Sequence, residues 1–273
     1  MRLNKRGITL IELMLAVALM GIVSTGAYKL YSLQLSHYST QQDVTYLQRD
    51  LRMARNQLIK KFRLAGFGIP RALKMGIGDS LYAVTPFYNP ADPDSVRIAG
   101  NFNDLSTLVV NSMANPSDNI IVQDVKKFRI NHYAFIDNGI EREAFYITDT
   151  DTLTNELMHA PLSGVYSTGS IVSDVITYTF YIDRSDPVCP RLCKNADGKI
   201  STIADHIEDL ILTYNTVNGE TVNPMDPASI IGIRFEIASR SNKKDYPWQA
   251  QSGDAYKHRK IEYYVMLRNL QVN

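Results

Sequence analysis

The sequence predicts an α+β fold in which one long N-terminal α-helix, with a membrane half and an amphipathic half, packs on an antiparallel β-sheet domain. Two observations lead to this prediction. Residues 8–27 form an apolar stretch of twenty residues, and at about 1.5 Å per residue this length can cross a bilayer core of roughly 30 Å. From residue 105 onward, the apolar residues fall in short stretches rich in β-branched and aromatic side chains, which are typical of strands.

The segment before the apolar stretch is a short basic leader, residues 1–7, which ends at Gly7. The apolar stretch itself contains one ionised residue, Glu12, and a carboxylate there costs on the order of 2–3 kcal/mol inside a bilayer. A cut after Gly7 would give Ile8 an α-amino group four residues before Glu12, which could offset that cost.

Two other interpretations of this N-terminus exist, a secretory signal cut near Ala27 and an uncleaved membrane anchor. A charge near the start of the apolar stretch would hinder ordinary insertion, and residues 28–31 continue the helical pattern. The cleaved leader is therefore favoured, and its positive charges place the N-terminus in the cytoplasm.

Residues 5–13, with the sequence KRGITLIEL, resemble the class III signal peptide of type IV pilins and type II secretion pseudopilins. The resemblance implies a pilin-like fold and a prepilin peptidase that cuts after Gly7 and methylates Ile8. It also implies that Glu12 neutralises the first amine of a neighbouring subunit during assembly. Many members of these families have Phe where this chain has Ile8.

The second half of the helix, residues 28–66, is predicted to be amphipathic because apolar residues recur at intervals of three and four. Gly66, Gly68 and Pro70 provide the signals that end it. We expect the apolar stripe to pack on the sheet of its own domain. The stripe consists of Val44, Leu47, Leu51, Ala54, Leu58, Phe62 and Ala65.

Two further regions follow the helix. Residues 67–104 are rich in Gly, Pro, Asp and Asn, which predicts a loop-rich insertion with short structured pieces. Residues 105–273 are predicted to form a β-rich globular domain on the periplasmic side, and Asp137-Asn138-Gly139 is predicted to be a hairpin turn. The predicted strands are 107–111, 120–123, 127–135, 142–148, 174–182, 207–214, 230–238 and 261–270.

The chain has two cysteines, Cys189 and Cys193, which flank a proline-containing turn. A local disulfide is favoured for an exported domain, with free thiols and a zinc site as alternatives. Zinc would need two more ligands, and the five histidines show no ligand spacing.

Composition and motifs exclude several functional classes. Without the leader the chain has 26 basic and 28 acidic residues, which gives no electrostatic footprint for nucleic acid. The sequence has no His-Glu-x-x-His, Walker or Gly-x-Ser-x-Gly motif. We therefore expect a protein that is not an enzyme and needs no cofactor or metal. The aspartate pairs at 92–94 and 149–151 could offer oxygen atoms to calcium, but solvated turns are the favoured interpretation.

Residues 47–54 and 62–67 resemble the PilW family of minor pilins, most clearly at Arg63, Ala65, Gly66 and Phe67. The resemblance implies a role in initiating type IV pilus assembly, within a priming or tip complex. The implied partners are other minor pilins, the major pilin, the prepilin peptidase, the inner-membrane assembly platform and, in some members, a tip adhesin. The implied location is the inner membrane and then the pilus tip. The alternatives are a J-type pseudopilin of type II secretion, which is generally shorter, and a membrane-tethered periplasmic enzyme or binding domain.

Overall fold

The computed structural model describes residues 10–75, 79–242, 244 and 255–270. It confirms the predicted α+β, pilin-like fold, with one long N-terminal helix followed by a mostly antiparallel β-sheet domain. Helix α1 spans Leu10–Leu64, and short 3-10 helices lie at Pro227–Ser229 and Arg268–Leu270. The described strands are β1 (Ala72–Met75), β2 (Asp79–Tyr82), β3 (Val84–Phe87), β4 (Ser95–Gly100), β5 (Ser106–Leu108), β6 (Ile120–Ile121), β7 (Tyr133–Asp137), β8 (Arg142–Asp151), β9 (Glu156–His159), β10 (Ile171–Asp183), β11 (Arg191–Ala196), β12 (Lys199–Asp205), β13 (Ile207–Thr216), β14 (Gly219–Thr221), β15 (Ile230–Arg240) and β16 (His258–Met266).

The described strands form two sheets. The larger has twelve strands, with the central order β12-β11-β10-β7-β8-β1-β2, and β3, β4, β5, β6 and β9 pair beside this path. The smaller sheet has the order β14-β13-β15-β16. Among the described pairs, β1 with β8 is parallel and the others are antiparallel, with Lys74 opposite Glu143 in the parallel pair.

The chain divides into two compact units, the first ending at Tyr46 and the second beginning at Leu47. Within the second unit, the predicted stripe of α1 is buried at Leu47, Leu51, Ala54, Leu58 and Phe62. Four of them, Leu51, Ala54, Leu58 and Phe62, belong to a hydrophobic cluster that also includes residues of both sheets, so this stretch of the helix packs on the β domain.

Phe62 is the residue of this stripe that contacts both sheets through aromatic rings. Its ring meets Phe180 of β10 edge to face at 5.7 Å between centroids, and Phe235 of β15 in the same manner at 5.7 Å. All three rings are fully buried. One helical side chain therefore joins the larger sheet to the smaller one.

The end of α1 is closed by residues from the C-terminal part of the chain. Gly66 has a φ of +73° and Gly68 a φ of +68°, a left-handed conformation that glycine adopts without the penalty of a Cβ atom. A Cβ atom on Gly66 would overlap the side chain of Leu270. The side-chain amide of Asn269 donates from Nδ2 to the carbonyl oxygen of Ala65 at 3.3 Å, so it satisfies a carbonyl group left open at the helix end.

Residues 67–104, predicted to be a loop-rich insertion with short structured pieces, contain four short strands. Strand β4 pairs with β3 and also with the long strand β10, so this segment is part of the larger sheet. The pattern did not predict these strands because each has only four to six residues, too few to show a clear alternation among Gly and Pro.

Most predicted strands have somewhat different limits, and two cases have a clear backbone cause. The strand predicted at 127–135 begins only at Tyr133, since Asn131 has a φ of +65° and interrupts the extended backbone. The last predicted strand ends at Met266, and a 3-10 helix occupies its expected continuation. The hairpin turn after β7 is confirmed, with a φ of +86° at Gly139.

Candidate functional site

The N-terminal part of α1 is an uncovered apolar surface. Every residue from Leu10 to Tyr38 is exposed in the single chain, with Leu10 at 77%. Residues 13–28 include no Asp, Glu, Lys or Arg. By length and composition this helix can cross a membrane. Such a surface is unfavourable in water, so lipid or the apolar surfaces of other molecules have to cover it.

Two hydroxyl side chains on this part of the helix donate to carbonyl groups of the helix itself. The hydroxyl of Thr25 donates to the carbonyl oxygen of Gly21 at 2.8 Å, and that of Ser32 to the carbonyl oxygen of Lys29 at 2.8 Å. Hydroxyl groups bonded in this way can lie in an apolar environment without an unsatisfied donor. The helix is continuous through Gly21 and Gly26.

Glu12 lies in the first turn of the described helix and is exposed. Gly7 and Ile8, the predicted processing residues, lie outside the described residues. Cleavage after Gly7, methylation of Ile8 and the assembly role of Glu12 therefore stay predictions.

The two cysteines are free thiols in the structure, which therefore does not contain the predicted disulfide. Cys193 is buried on β11, opposite Tyr181 and Thr202, whereas Cys189 is half-buried in the turn before that strand. The proline-containing turn places the two thiols in different environments, and short sequence spacing alone could not predict this.

The described residues contain no group of three or more His, Cys, Asp or Glu side chains able to hold a metal ion. The aspartates considered for calcium bond to nearby protein groups. The carboxylate of Asp94 accepts from the amide of Leu212 at 2.7 Å, and that of Asp151 accepts from the amide of Leu153 at 2.8 Å. Asp92 lies 3.8 Å from the guanidinium of Arg184.

The structure also brings together a buried polar cluster that the sequence did not single out. Asp174 is buried, and burial raises the pKa of its carboxyl group above the ordinary value. Nearby, His132 Nδ1 lies 3.4 Å from the carboxylate of Asp197. Asp197 accepts from both the amide and the hydroxyl of Thr177, at 3.0 and 2.7 Å. These contacts fix the β11–β12 turn to β10.

The family comparison concerns the N-terminus. The model of the prokaryotic N-terminal methylation motif matches residues 2–28, the leader and the first apolar residues of α1. This match supports a type IV pilin-like or pseudopilin protein, and with the exposed apolar helix it fits a single-pass membrane anchor. No curated protein matches the chain.

Proposed function

We propose that this protein is a PilW-like minor pilin that helps to initiate type IV pilus assembly within a priming or tip complex. The observation that carries the proposal is the combination of a methylation motif at residues 2–28 with an apolar helix surface that the chain leaves uncovered. A surface of this kind suits a protein that is held first by lipid and later by neighbouring helices.

The proposed mechanism is physical rather than catalytic. The leader keeps the precursor in the inner membrane with its N-terminus in the cytoplasm until the prepilin peptidase cuts after Gly7. The mature helix then leaves the lipid and packs against the helices of other minor pilins and the major pilin. Glu12 pairs with the α-amino group of a neighbour, because an unpaired carboxylate would be costly in that apolar interior.

The β domain, proposed to be periplasmic, supplies the lateral contacts that decide where the subunit sits. The PilW-like pattern at Arg63–Phe67 coincides with the end of α1, where Gly66 and Gly68 adopt left-handed conformations. Phe67, between these glycines, remains 39% exposed. This exposed aromatic side chain supports a contact surface at the helix end for an adjacent subunit, the assembly platform or a tip adhesin.

A J-type pseudopilin of type II secretion is the second candidate, since the matched motif is shared by both classes. Deletion of the gene and complementation with the full chain would separate the two. Loss of surface pili with normal secretion supports the minor-pilin proposal, whereas loss of secretion with normal pili supports the pseudopilin.

The assembly step is tested by Glu12→Ala in the complemented strain, with Ser24→Ala in the same apolar stretch as the control. We expect the Glu12 variant to be processed to a mature N-terminus at Ile8, as intact mass would show, but to leave few pili on the cell surface. Normal piliation by this variant would contradict the pairing mechanism. A mature protein that begins elsewhere would contradict the proposed class.

A further inference from the structure

Cys189 lies in a group of side chains that the proposed assembly role does not use. Its Sγ is 4.0 Å from Nε2 of His206. The guanidinium of Arg191 interacts electrostatically with the same sulfur, and its Nε lies 3.2 Å from Oδ1 of Asp205. A basic nitrogen and a cation thus converge on one thiol, which is the setting in which cysteine acts as a nucleophile.

The backbone holds this arrangement in place. His206 joins β12 to β13 with a φ of +56°, and its carbonyl oxygen accepts from the amide of Arg240 at 3.1 Å. The Nδ1 atom of His206 is buried and has no hydrogen-bond partner among the described residues. The turn that carries Cys189 is fixed as well, because the amide of Cys189 donates to the carbonyl oxygen of Asp186 at 3.1 Å and Arg240 donates to that of Pro187.

Cys193 provides an internal comparison. Its side chain lies on β11 with 2% of the residue exposed, and burial raises the pKa of its thiol. A neutral, enclosed thiol is a poor nucleophile. Strand β11 therefore carries an inert thiol four residues after the thiol of the preceding turn, which has a base and a cation beside it.

We propose that Cys189 is a thiol–disulfide exchange site for a small disulfide, with His206 and Arg191 as positioning residues, and that Cys193 takes no part while the domain is folded. In the exchange, the thiol proton moves to Nε2 of His206 and the sulfur attacks one sulfur of the disulfide. A new S–S bond forms and the old one breaks. The departing thiolate takes up the proton, so the Cys189 sulfur is oxidised and the departing sulfur reduced.

Among the described residues, the charged groups that act on this thiol or on the side chains beside it include Asp50 of α1, whose carboxylate interacts electrostatically with His206 and Asp205. The guanidinium of Arg191 interacts with the sulfur of Cys189 and with the carboxylates of Asp205 and Asp186. The Asp205 contact also holds Arg191 in place. Replacing the side chain of Arg191 or of His206 should therefore slow the exchange and leave Cys193 buried.

The test measures the reaction of the full-length protein, in detergent micelles, with excess dithiodipyridine, followed by the absorbance of the released thiopyridone. We expect one equivalent to be released quickly and the second only after denaturation, with a single mixed-disulfide adduct by intact mass. Cys189→Ser should remove the fast phase, and Cys193→Ser should retain it.

His206→Asn and Arg191→Met should slow the fast phase on the order of tenfold near neutral pH, and the change should diminish at high pH, where thiols ionise without assistance. Lys199→Met, at the far end of β12, is the matched charge control and should leave the rate unchanged. Equal reactivity of both cysteines, a fast phase that depends on Cys193, or unchanged rates in both positioning variants would overturn the proposal. Fast release of two equivalents would also overturn it, because Cys193 would then have completed an intrachain disulfide.

Discussion

Phe62→Ala tests the central packing arrangement of the β domain. Phe62 is fully buried, and its ring meets Phe180 and Phe235 at 5.7 Å each. Removing a buried phenyl group forfeits about 1.5–3 kcal/mol of transfer free energy. The cavity left between two sheets raises the usual cost of Phe→Ala to about 3–5 kcal/mol, and each lost edge-to-face contact accounts for roughly 0.5–1.5 kcal/mol beyond area. We therefore expect Phe62→Ala to lower the free energy of unfolding by an amount near the upper end of the range of about 3–5 kcal/mol.

The loss is large compared with the total free energy of unfolding of a domain, about 5–15 kcal/mol. The loss of stability in Phe62→Ala can be measured by pulse proteolysis of the full-length chain in detergent micelles over a series of urea concentrations. Met53→Ala is the matched control, since Met53 lies on the same helix and is 38% exposed. We expect this control to change stability by less than about 0.5 kcal/mol.

Phe62→Leu separates volume from aromatic geometry. It keeps most of the apolar volume and loses both ring contacts, so its cost should fall between those of the control and of Phe62→Ala. If Phe62→Ala unfolded at the same urea concentration as Met53→Ala, the inference that this side chain joins the two sheets would be refuted.

Three further predictions concern the helix end, a buried carboxylate and processing. Gly66→Ala should destabilise the domain by more than Gly169→Ala, because both positions have positive φ but only a Cβ on Gly66 overlaps Leu270. The urea midpoints of the two variants measure this difference, and equal losses of stability would contradict the packing of Leu270 on Gly66. Burial raises the pKa of Asp174 in the folded state above its pKa in the unfolded state. The protonated side chain therefore contributes its full stability below the unfolded-state pKa, and this contribution is lost as pH rises through the folded-state pKa. Asp174→Asn should therefore gain stability relative to the parent as pH rises from about 4 to about 7, whereas a difference independent of pH would exclude this origin. Replacing Gly7 with leucine should leave the leader attached, and a processed N-terminus found by mass spectrometry would rule out cleavage at that bond.

The helix and its buried face could be predicted because they depend on local periodicity. Spacings of three and four identified Leu47, Leu51, Ala54, Leu58 and Phe62, and each is buried. Long strands such as β10 and β15 were found within a few residues of their limits because β-branched and aromatic side chains are dense there. Their pairing partners were not predictable, since pairing depends on contacts between distant parts of the chain.

The features that the sequence did not indicate depend on tertiary placement. The parallel pairing of β1 with β8 and the sheet position of β4 leave no local pattern in such short segments. The two cysteines were predicted as a pair from their spacing, but the group beside Cys189 includes His206, which only the junction of β12 and β13 brings near. Recognising that group would have required knowing this junction.

The contacts of Asn269 and Leu270 with the end of α1 have a kinetic consequence. The side-chain amide of Asn269 bonds to the backbone at Ala65, and Leu270 packs against Gly66. The amphipathic part of the helix is synthesised long before these residues, yet its final turn is completed only by them. If the domain is periplasmic, as proposed, an export intermediate that lacks residues 268–270 would keep this turn open to proteases, and resistance to digestion should appear only after these residues have crossed the membrane. Because such contacts link distant parts of the chain, folding of the domain is expected to be slow, and the membrane-held helix would keep the unfinished chain from diffusing away during that interval.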